Sequence, residues 1–208
     1  MVDKKEAPIL SRRERELLRH RGEIMDAATS LFSENGFYQT TVQMIAERAD
    51  FSVGYLYKHF ESKEQIYQAT LDFHHGKLDE AIADVRAQGL PPLEELYRTY
   101  EAAAAHFNEY REFLRIYHNT IEVGKEDKPR KHEEHRQDLV SILDRAIAAG
   151  EIKPVNAEIM ASAIFGAAQE LFKTLAKRDG ENPLAPLPGT LFELLIDPVR
   201  LKPSSKPA

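Results

Sequence analysis

The stretch TTVQMIAERADFSVGYLYKHFESKEQIY, residues 40–67, contains the features that decide the fold of this chain. Its first part carries apolar side chains at helical spacing between Val42 and Ala49. Thr40 or Thr41 offers a hydroxyl group that can cap the free backbone N–H groups at the start of this helix. The first part of the stretch therefore predicts a short, capped helix with one apolar face.

A turn and a second short helix follow directly. Asp50 stands where the turn needs a positive φ, which glycine adopts best and aspartate tolerates. Ser52 can cap the next helix, which extends to about His59. Ala46 is small enough to let the two helices approach closely, and Gly54 leaves room for another molecule near the backbone. Together these signals predict a helix-turn-helix arrangement.

Helical spacing of apolar residues continues through the rest of the chain. One helix precedes the stretch and ends near Asn35-Gly36, and a long helix opens at Ser62 and reaches about Ala87. No segment alternates between apolar and polar residues strongly enough to predict a strand, so we predict an all-α fold. Further helices are predicted at about 92–107, 109–123, 130–149, 156–177 and 189–196.

The composition is that of an ordinary globular protein. Of the 208 residues, 42% are apolar and 30% are charged, and zero are cysteines, which excludes disulfides and thiol chemistry. No apolar run approaches the roughly 18 to 20 residues that a membrane span needs. The N-terminus lacks the apolar core of a signal peptide. We therefore expect a cytoplasmic protein with no membrane partner.

The net charge of −6 neither supports nor excludes a nucleic-acid partner. The charge is unevenly distributed, because Ser11–Arg21 holds five arginines against two glutamates. A basic arm of this kind is compatible with contacts to phosphate groups, and a solvated, frayed chain end has the same composition. The sequence leaves both interpretations of the arm open.

Four motifs occur in order between residues 24 and 67: A-A-x-x-L-F-x-x-x-G-F, T-T-V-x-x-I-A-x-x-A, S-x-G-x-L-Y-x-H-F and S-K-E-x-x-Y. In this order and spacing they resemble the N-terminal DNA-binding domain of TetR/AcrR-type bacterial transcriptional regulators. The departures are Asp50-Phe51, where the family often has Gly-Val, and Tyr55, where it often has a small hydroxyl residue. Tyr55 lies where such proteins commonly touch bases, so its presence bears on the operator sequence.

The resemblance implies a ligand-responsive transcriptional regulator, in most members a repressor, that binds a palindromic operator in double-stranded DNA as a homodimer. A small apolar or aromatic effector would release it from the operator. The implied organisation is a basic N-terminal arm (1–21), a helix-turn-helix DNA-binding domain (22–67), an effector-binding and dimerisation domain (68–200) and a flexible tail (201–208).

The resemblance also implies roles for individual residues. The helix from Ser52 to His59 would enter the major groove, with Tyr55 and Lys58 as readers of base edges and Tyr57 and His59 as phosphate contacts. Helix N-termini would bind further phosphates through their free N–H groups. The predicted DNA-binding residues are Thr40, Thr41, Ser52, Val53, Gly54, Tyr55, Tyr57, Lys58, His59 and Lys63. The predicted core of the same domain is Phe32, Phe37, Ile45, Leu56 and Phe60.

Two further sites are expected in the C-terminal region. An aromatic and histidine-rich set is predicted to line the effector cavity: Phe73, His74, Tyr97, Tyr100, Phe107, Phe113, Tyr117 and His118. The helix at about 156–177 is apolar on two faces, which indicates burial against its own core and against a second subunit. The predicted dimer interface is Phe165, Gly166, Gln169, Phe172, Leu191, Phe192 and Leu195.

Two other classes of protein remain alternatives: a helical enzyme that uses the C-terminal cavity, and an adaptor that uses the apolar helix faces. No nucleophile elbow, phosphate-binding loop, dinucleotide fingerprint or zinc-protease motif occurs, so we expect neither enzymatic activity nor a cofactor. His74-His75 and the pair His132 and His135 could suggest a metal. No third ligand is identifiable for either pair, and a solvated helix face is the preferred interpretation.

Overall fold

Helices make up the regular structure throughout residues 11–111, 128–178 and 180–201, the parts of the chain that the computed structural model describes. The helices are α1 (Arg12–Gln39), α2 (Val42–Arg48), α3 (Val53–Tyr57), α4 (Lys63–Ala87), α5 (Pro92–Glu109), α6 (Lys128–Ala148), α7 (Ala157–Leu175) and α8 (Leu187–Leu191). A π-helical turn, Phe192–Ile196, and a 3-10 turn, Asp197–Val199, continue from α8. The predicted all-α class is confirmed, and these ranges contain no strand beyond one isolated bridge between Ile152 and Arg200. Most of the helix predicted at 109–123 lies outside the described residues.

The chain divides into two compact units, Met1–Leu71 and Asp72–Ala208. Helix α4 contributes residues to both units, because the division lies a little beyond the boundary predicted after residue 67. No helix in the described ranges is long and apolar enough to cross a membrane.

The basic N-terminal segment is helical. Helix α1 begins at Arg12, where Ser11 and Glu14 form a capping box: the Ser11 hydroxyl accepts from the Glu14 N–H, and the Glu14 carboxylate accepts from the Ser11 N–H. Residues 12–21 of the predicted basic arm therefore form the start of α1, and residues 1–10 lie outside the described part of the chain. Its basic side chains are exposed to solvent on this helix.

The core of the N-terminal unit is formed where α1, α2 and α3 meet. Phe32, Ile45, Leu56 and Phe60 are buried, as predicted from their spacing, and Phe37 is half-buried. Full burial of a side chain of this size stabilises the folded state by about 1.5–3 kcal/mol. These contacts hold the short helix α3, whose five residues would not form a stable helix alone.

The C-terminal unit is a bundle in which α6 packs against α5 and α7, and α8 packs against the same two helices. A two-pronged ion pair joins Arg145 on α6 to Glu95 on α5, at 2.8 and 2.9 Å, and the Glu95 carboxylate is buried. Helix α5 starts with prolines and lacks a side-chain cap of its own. Instead, the Glu151 carboxylate accepts a hydrogen bond from the Leu93 N–H at 2.8 Å. These links fix the position of α5 relative to α6 and to the segment that follows α6.

Candidate DNA-binding surface and effector cavity

The turn between α2 and α3 has the geometry predicted from the sequence. The Thr41 hydroxyl caps α2 by accepting from the Met44 N–H at 3.2 Å. Asp50 has φ +58°, so the predicted positive φ is confirmed. The Phe51 N–H then donates to the Ala46 carbonyl at 2.9 Å, which closes the turn.

Helix α3 is capped by Ser52, whose hydroxyl accepts from the Tyr55 N–H at 3.1 Å. Gly54 is exposed in the first turn of α3. A Cβ atom added there would meet only the Ser52 hydroxyl oxygen, at 4.0 Å. The packing of the protein itself therefore does not require glycine at this position.

Three predicted DNA contacts present their side chains to solvent at the end of α3. Tyr57 has 55% of its surface exposed, and Lys58 and His59 are also exposed. Tyrosine rings are usually buried, and an exposed one is common where the protein contacts another molecule. The structure therefore brings Tyr57, Lys58 and His59 together on one free surface, where their DNA contacts remain predictions.

Tyr55 differs from these three because it is built into an aromatic cluster. Its ring stacks on Phe51 with centroids 4.9 Å apart, and its ring lies 4.8 Å from that of His59. Its hydroxyl lies 2.9 Å from Nδ1 of His20 on α1. Tyr55 thus links the recognition helix α3 to the basic end of α1, a role that its position in the motif does not indicate.

Thr40 and Lys63 occupy structural positions. Thr40 is fully buried, and its hydroxyl donates to the carbonyl groups of Leu31 and Gly36, so its side chain is not available to a phosphate in this structure. The Lys63 ammonium donates to the carbonyl groups of Phe37 and Thr40 at 2.7 and 2.9 Å. It therefore closes the carbonyl end of α1, where a cation is favourable.

The C-terminal unit contains a cavity of about 100 Å³ between α4, α5, α6 and α7. Its wall is mainly aliphatic and aromatic, with a few polar groups. The lining residues are His75, Leu78, Ile82, Arg86, Thr99, Tyr100, Ala103, Phe107, His135, Asp138, Leu139, Ile142, Phe165, Ala168, Gln169 and Phe172. An apolar wall with few polar groups is typical of small-molecule sites.

The predicted pocket residues divide into three groups. Tyr100 and Phe107 line the cavity. Phe73, His74 and Tyr97 are absent from its wall, because Tyr97 packs on Phe192 and the other two face a cluster around Tyr110. The remaining three lie outside the described residues: Phe113, Tyr117 and His118.

The residues predicted for the interface on α7 lie on two faces of that helix. Phe165, Gln169 and Phe172 line the cavity, and the Phe172 ring packs on Phe107 with centroids 4.8 Å apart. This face of α7 is turned inward because aromatic side chains from α5 cover it. Gly166, between these residues in the sequence, is exposed on the outer face.

The interface residues predicted near the C-terminus also divide. Leu191 and Phe192 are buried within the unit, and Leu195 is half-buried. Two other large apolar residues are exposed: Ile159 on α7 at 69%, and Leu194, which lies in the segment predicted for the interface, at 62%. Their apolar character was visible, but the direction of their side chains depends on which face of each helix meets the bundle.

Two histidines next to the cavity wall are buried and neutral. Burial lowers the pKa of His74 to about 3 and that of His106 to about 4, and nearby positive charge on Lys77 acts in the same direction for both. The His74 ring contacts Tyr110 at 4.8 Å, as does the His106 ring at 4.9 Å. In the described ranges, no group of three or more His, Cys, Asp or Glu side chains could hold a metal ion.

Thr99 is an unusual part of the cavity wall, because its buried hydroxyl has no hydrogen-bond partner among the residues that the structure describes. Thr99→Val is expected to raise the free energy of unfolding by about 1 kcal/mol, since it removes a polar atom that gains nothing in the folded state. Urea unfolding of the two proteins measures this. Thr174→Val on the exposed face of α7 is the control and should change stability by less than about 0.5 kcal/mol. A lower free energy of unfolding in Thr99→Val would show that the Thr99 hydroxyl makes a stabilising hydrogen bond in the folded protein.

Comparison with known proteins adds to this geometry. Residues 24–70 match the family described as "Bacterial regulatory proteins, tetR family". The match covers α2, the turn and α3, together with most of α1. Residues 24–70 therefore form a DNA-binding domain of the tetR family. The protein is accordingly a ligand-responsive, DNA-binding transcriptional regulator.

Individual members of this family are similar over much of the chain. The fatty acid metabolism regulator protein of Bacillus subtilis is 26% identical over 192 residues, which cover 86% of this chain and 95% of that protein. The transcriptional repressor KstR2 of Mycobacterium tuberculosis is 29% identical over 143 residues, 64% of this chain and 70% of KstR2. A crystal structure of FadR from Bacillus subtilis in complex with stearoyl-CoA has a TM-score of 0.71 at 23% identity, covering 86% of this chain and 99% of that one. This last likeness concerns the fold.

Proposed function

We propose that this tetR-family regulator is a homodimeric repressor that binds a palindromic operator and leaves it when a long-chain acyl compound enters the C-terminal cavity. The two recognition helices of such a dimer would read major grooves about 34–36 Å apart. The apolar cavity between α4, α5, α6 and α7 is the observation that carries the ligand-dependent part of this proposal.

The DNA contacts are assigned to the free surface on and around α3. Gly54 allows the DNA to approach the backbone of α3 closely. Lys58 donates to base edges, and Tyr57 and His59 contact phosphates. Thr41, Ser52 and Val53 lie at the starts of α2 and α3, where free backbone N–H groups favour an anion. Tyr55 holds α3 against His20 and the basic first turns of α1.

The dimer interface is assigned to the outer face of α7 and to the segment after α8. Ile159, Ala163 and Gly166 follow one another at helical spacing and are exposed, and Leu194 is exposed as well. Exposed apolar side chains on neighbouring turns are a common mark of a subunit interface. The small residues Ala163 and Gly166 would allow a helix of the second subunit to approach closely.

The effector class follows from the relatives and from the cavity. One relative is named for fatty acid metabolism, and the FadR structure from the same organism contains stearoyl-CoA. In the present chain the cavity wall offers an aliphatic and aromatic surface of the kind that contacts hydrocarbon, and the cavity of about 100 Å³ would have to widen to admit a long chain. No enzymatic step is assigned to the protein, and its place of action is the cytoplasm, where operator DNA and acyl thioesters are both available.

Fluorescence anisotropy with a DNA fragment from upstream of the protein's own gene tests the proposal. Specific binding should weaken steeply as salt rises, because bound Lys and Arg side chains release counterions from DNA. Palmitoyl-CoA should then lower the affinity for the fragment, whereas coenzyme A alone should not. Equal affinity for this fragment and for random DNA would overturn the proposal. So would the lack of a response to every acyl compound between about eight and eighteen carbons in length.

A further inference from the structure

One polar pair stands out in the apolar wall of the cavity. Arg86 on α4 and Asp138 on α6 both line it, and their side chains form an ion pair at 2.5 Å. Both side chains are a little less than half exposed, at 45% and 44%, so the pair lies where the cavity meets solvent. Solvent access means that the pair itself adds little to stability.

Arg86 carries the only permanent positive charge among the described residues that line the cavity. A guanidinium presents planar N–H donors that fit carboxylate and phosphate groups, and it is always protonated. One of these nitrogens, Nη2, lies 2.5 Å from Oδ2 of Asp138. An anionic ligand group would compete with Asp138 for them.

The apolar residues of α4 extend from this pair into the cavity. Leu78 and Ile82 lie on the same face of α4 as Arg86, at intervals of about one helical turn. Leu78 and Arg86 are separated by about 12 Å along the helix axis at 1.5 Å per residue. An anion held at Arg86 could therefore place an attached hydrocarbon chain against this apolar face.

We propose that the effector is recognised as an amphiphilic anion whose head group displaces Asp138 from Arg86 while its chain enters along the apolar wall of the cavity next to Leu78 and Ile82. This inference rests on the proposed function and adds to it the charge of the effector and the residue that reads it. The shared chemistry is an anionic group on a long apolar chain, which a free fatty acid and an acyl-CoA both provide.

Displacement of Asp138 also gives ligand binding a structural consequence. The Arg86–Asp138 pair joins α4 to α6. Helix α4 contributes to the DNA-binding unit as well as to the bundle. A ligand that breaks the tie binds better to the conformation without it, and only such a difference in affinity can shift the population of the protein.

Calorimetric titration of the full-length protein tests the inference with three probes of equal chain length: palmitate, palmitoyl-CoA and hexadecanol, each below its micelle concentration. The variants are Arg86→Gln and Asp138→Asn, with Arg98→Gln as the matched control. Arg98 forms an exposed ion pair with Glu101 on α5 at 2.7 Å and does not line the cavity. Thermal unfolding of each variant checks that it is folded before titration.

The two halves of the ion pair should have opposite effects. Arg86→Gln should lower the affinity for the anionic probes that bind by at least about 10-fold, because a charge-assisted hydrogen bond is lost. The affinity for hexadecanol should not change. Asp138→Asn should tighten the same anionic probes, because the competing carboxylate is gone. Arg98→Gln should leave all affinities unchanged. Whichever of palmitate and palmitoyl-CoA follows this pattern identifies the source of the anion.

Changes of the same sign in Arg86→Gln and Asp138→Asn would show that the pair is only structural and would overturn the inference. Preference of the wild type for hexadecanol, or no binding of any of the three probes, would also overturn it. These results leave operator binding, and release by an acyl compound of another chain length, intact. Failure of the wild type to select its operator would instead overturn the proposed function, and the calorimetric result is independent of it.

Discussion

Lys58→Ala is expected to lower the affinity for the operator by about 30-fold to 700-fold. Lys58 is exposed beside Tyr57 at the end of α3, where it can donate to base edges or to the groove's phosphates. A good base contact contributes about 1–2 kcal/mol, and a dimer loses two of them, or about 2–4 kcal/mol in total. Anisotropy titrations against the operator and against single-base variants measure the loss and show at which base pair discrimination is lost.

Lys63→Met serves as the contrast for this prediction. Because the Lys63 ammonium is bonded to the Phe37 and Thr40 carbonyl groups, its loss should lower the melting temperature of the N-terminal unit. Lys58→Ala should leave that temperature unchanged, since the Lys58 side chain is exposed. An equal loss of affinity for every DNA sequence in Lys58→Ala would assign Lys58 to phosphate and not to bases.

Arg145→Met is expected to lower the free energy of unfolding of the C-terminal unit by about 2 kcal/mol. The Glu95 side chain is only 6% exposed, whereas that of Arg145 is 48% exposed. Removing the guanidinium leaves a buried carboxylate without its partner, which costs about 3–5 kcal/mol in a fully buried pair and less here, where water can reach the vacated site. Urea unfolding monitored by circular dichroism measures the change.

Two further variants separate a buried charge from a simple loss of contact. Adding Glu95→Leu to Arg145→Met should restore much of the stability, because no unpaired buried charge remains. Arg98→Met breaks the exposed Arg98–Glu101 pair and should cost less than about 0.5 kcal/mol. If Arg98→Met and Arg145→Met were equally destabilising, burial of Glu95 would not be the cause.

The helix-turn-helix unit could be read from the sequence because its signals are local. The caps Thr41 and Ser52 act on N–H groups three residues away, and the positive φ of Asp50 is a property of one residue. Such features depend on neighbours in the chain and not on distant packing. The predicted burial of Ile45 and Leu56 follows in the same way from their spacing.

Helix α7 marks the limit of this kind of reading. It is apolar on two faces, so its periodicity predicts two buried surfaces without indicating which one meets the cavity. The Phe107 ring on α5 turns the Phe165–Phe172 face inward, and Ile159 is left outside. Reversing the two faces would have satisfied the sequence pattern equally well.

The sequence by itself determined the helical class, the capped turn and the recognition helix, because those depend on short-range backbone geometry. The tertiary structure alone decided that Thr40 is buried, that Lys63 closes α1, and that Tyr55 is bonded to His20. It also decided that Arg86 meets Asp138 at the cavity. The pairs Lys63–Phe37, Tyr55–His20 and Arg86–Asp138 join residues far apart in the chain. The packing of whole helices sets these distances, which the period of a single helix does not contain.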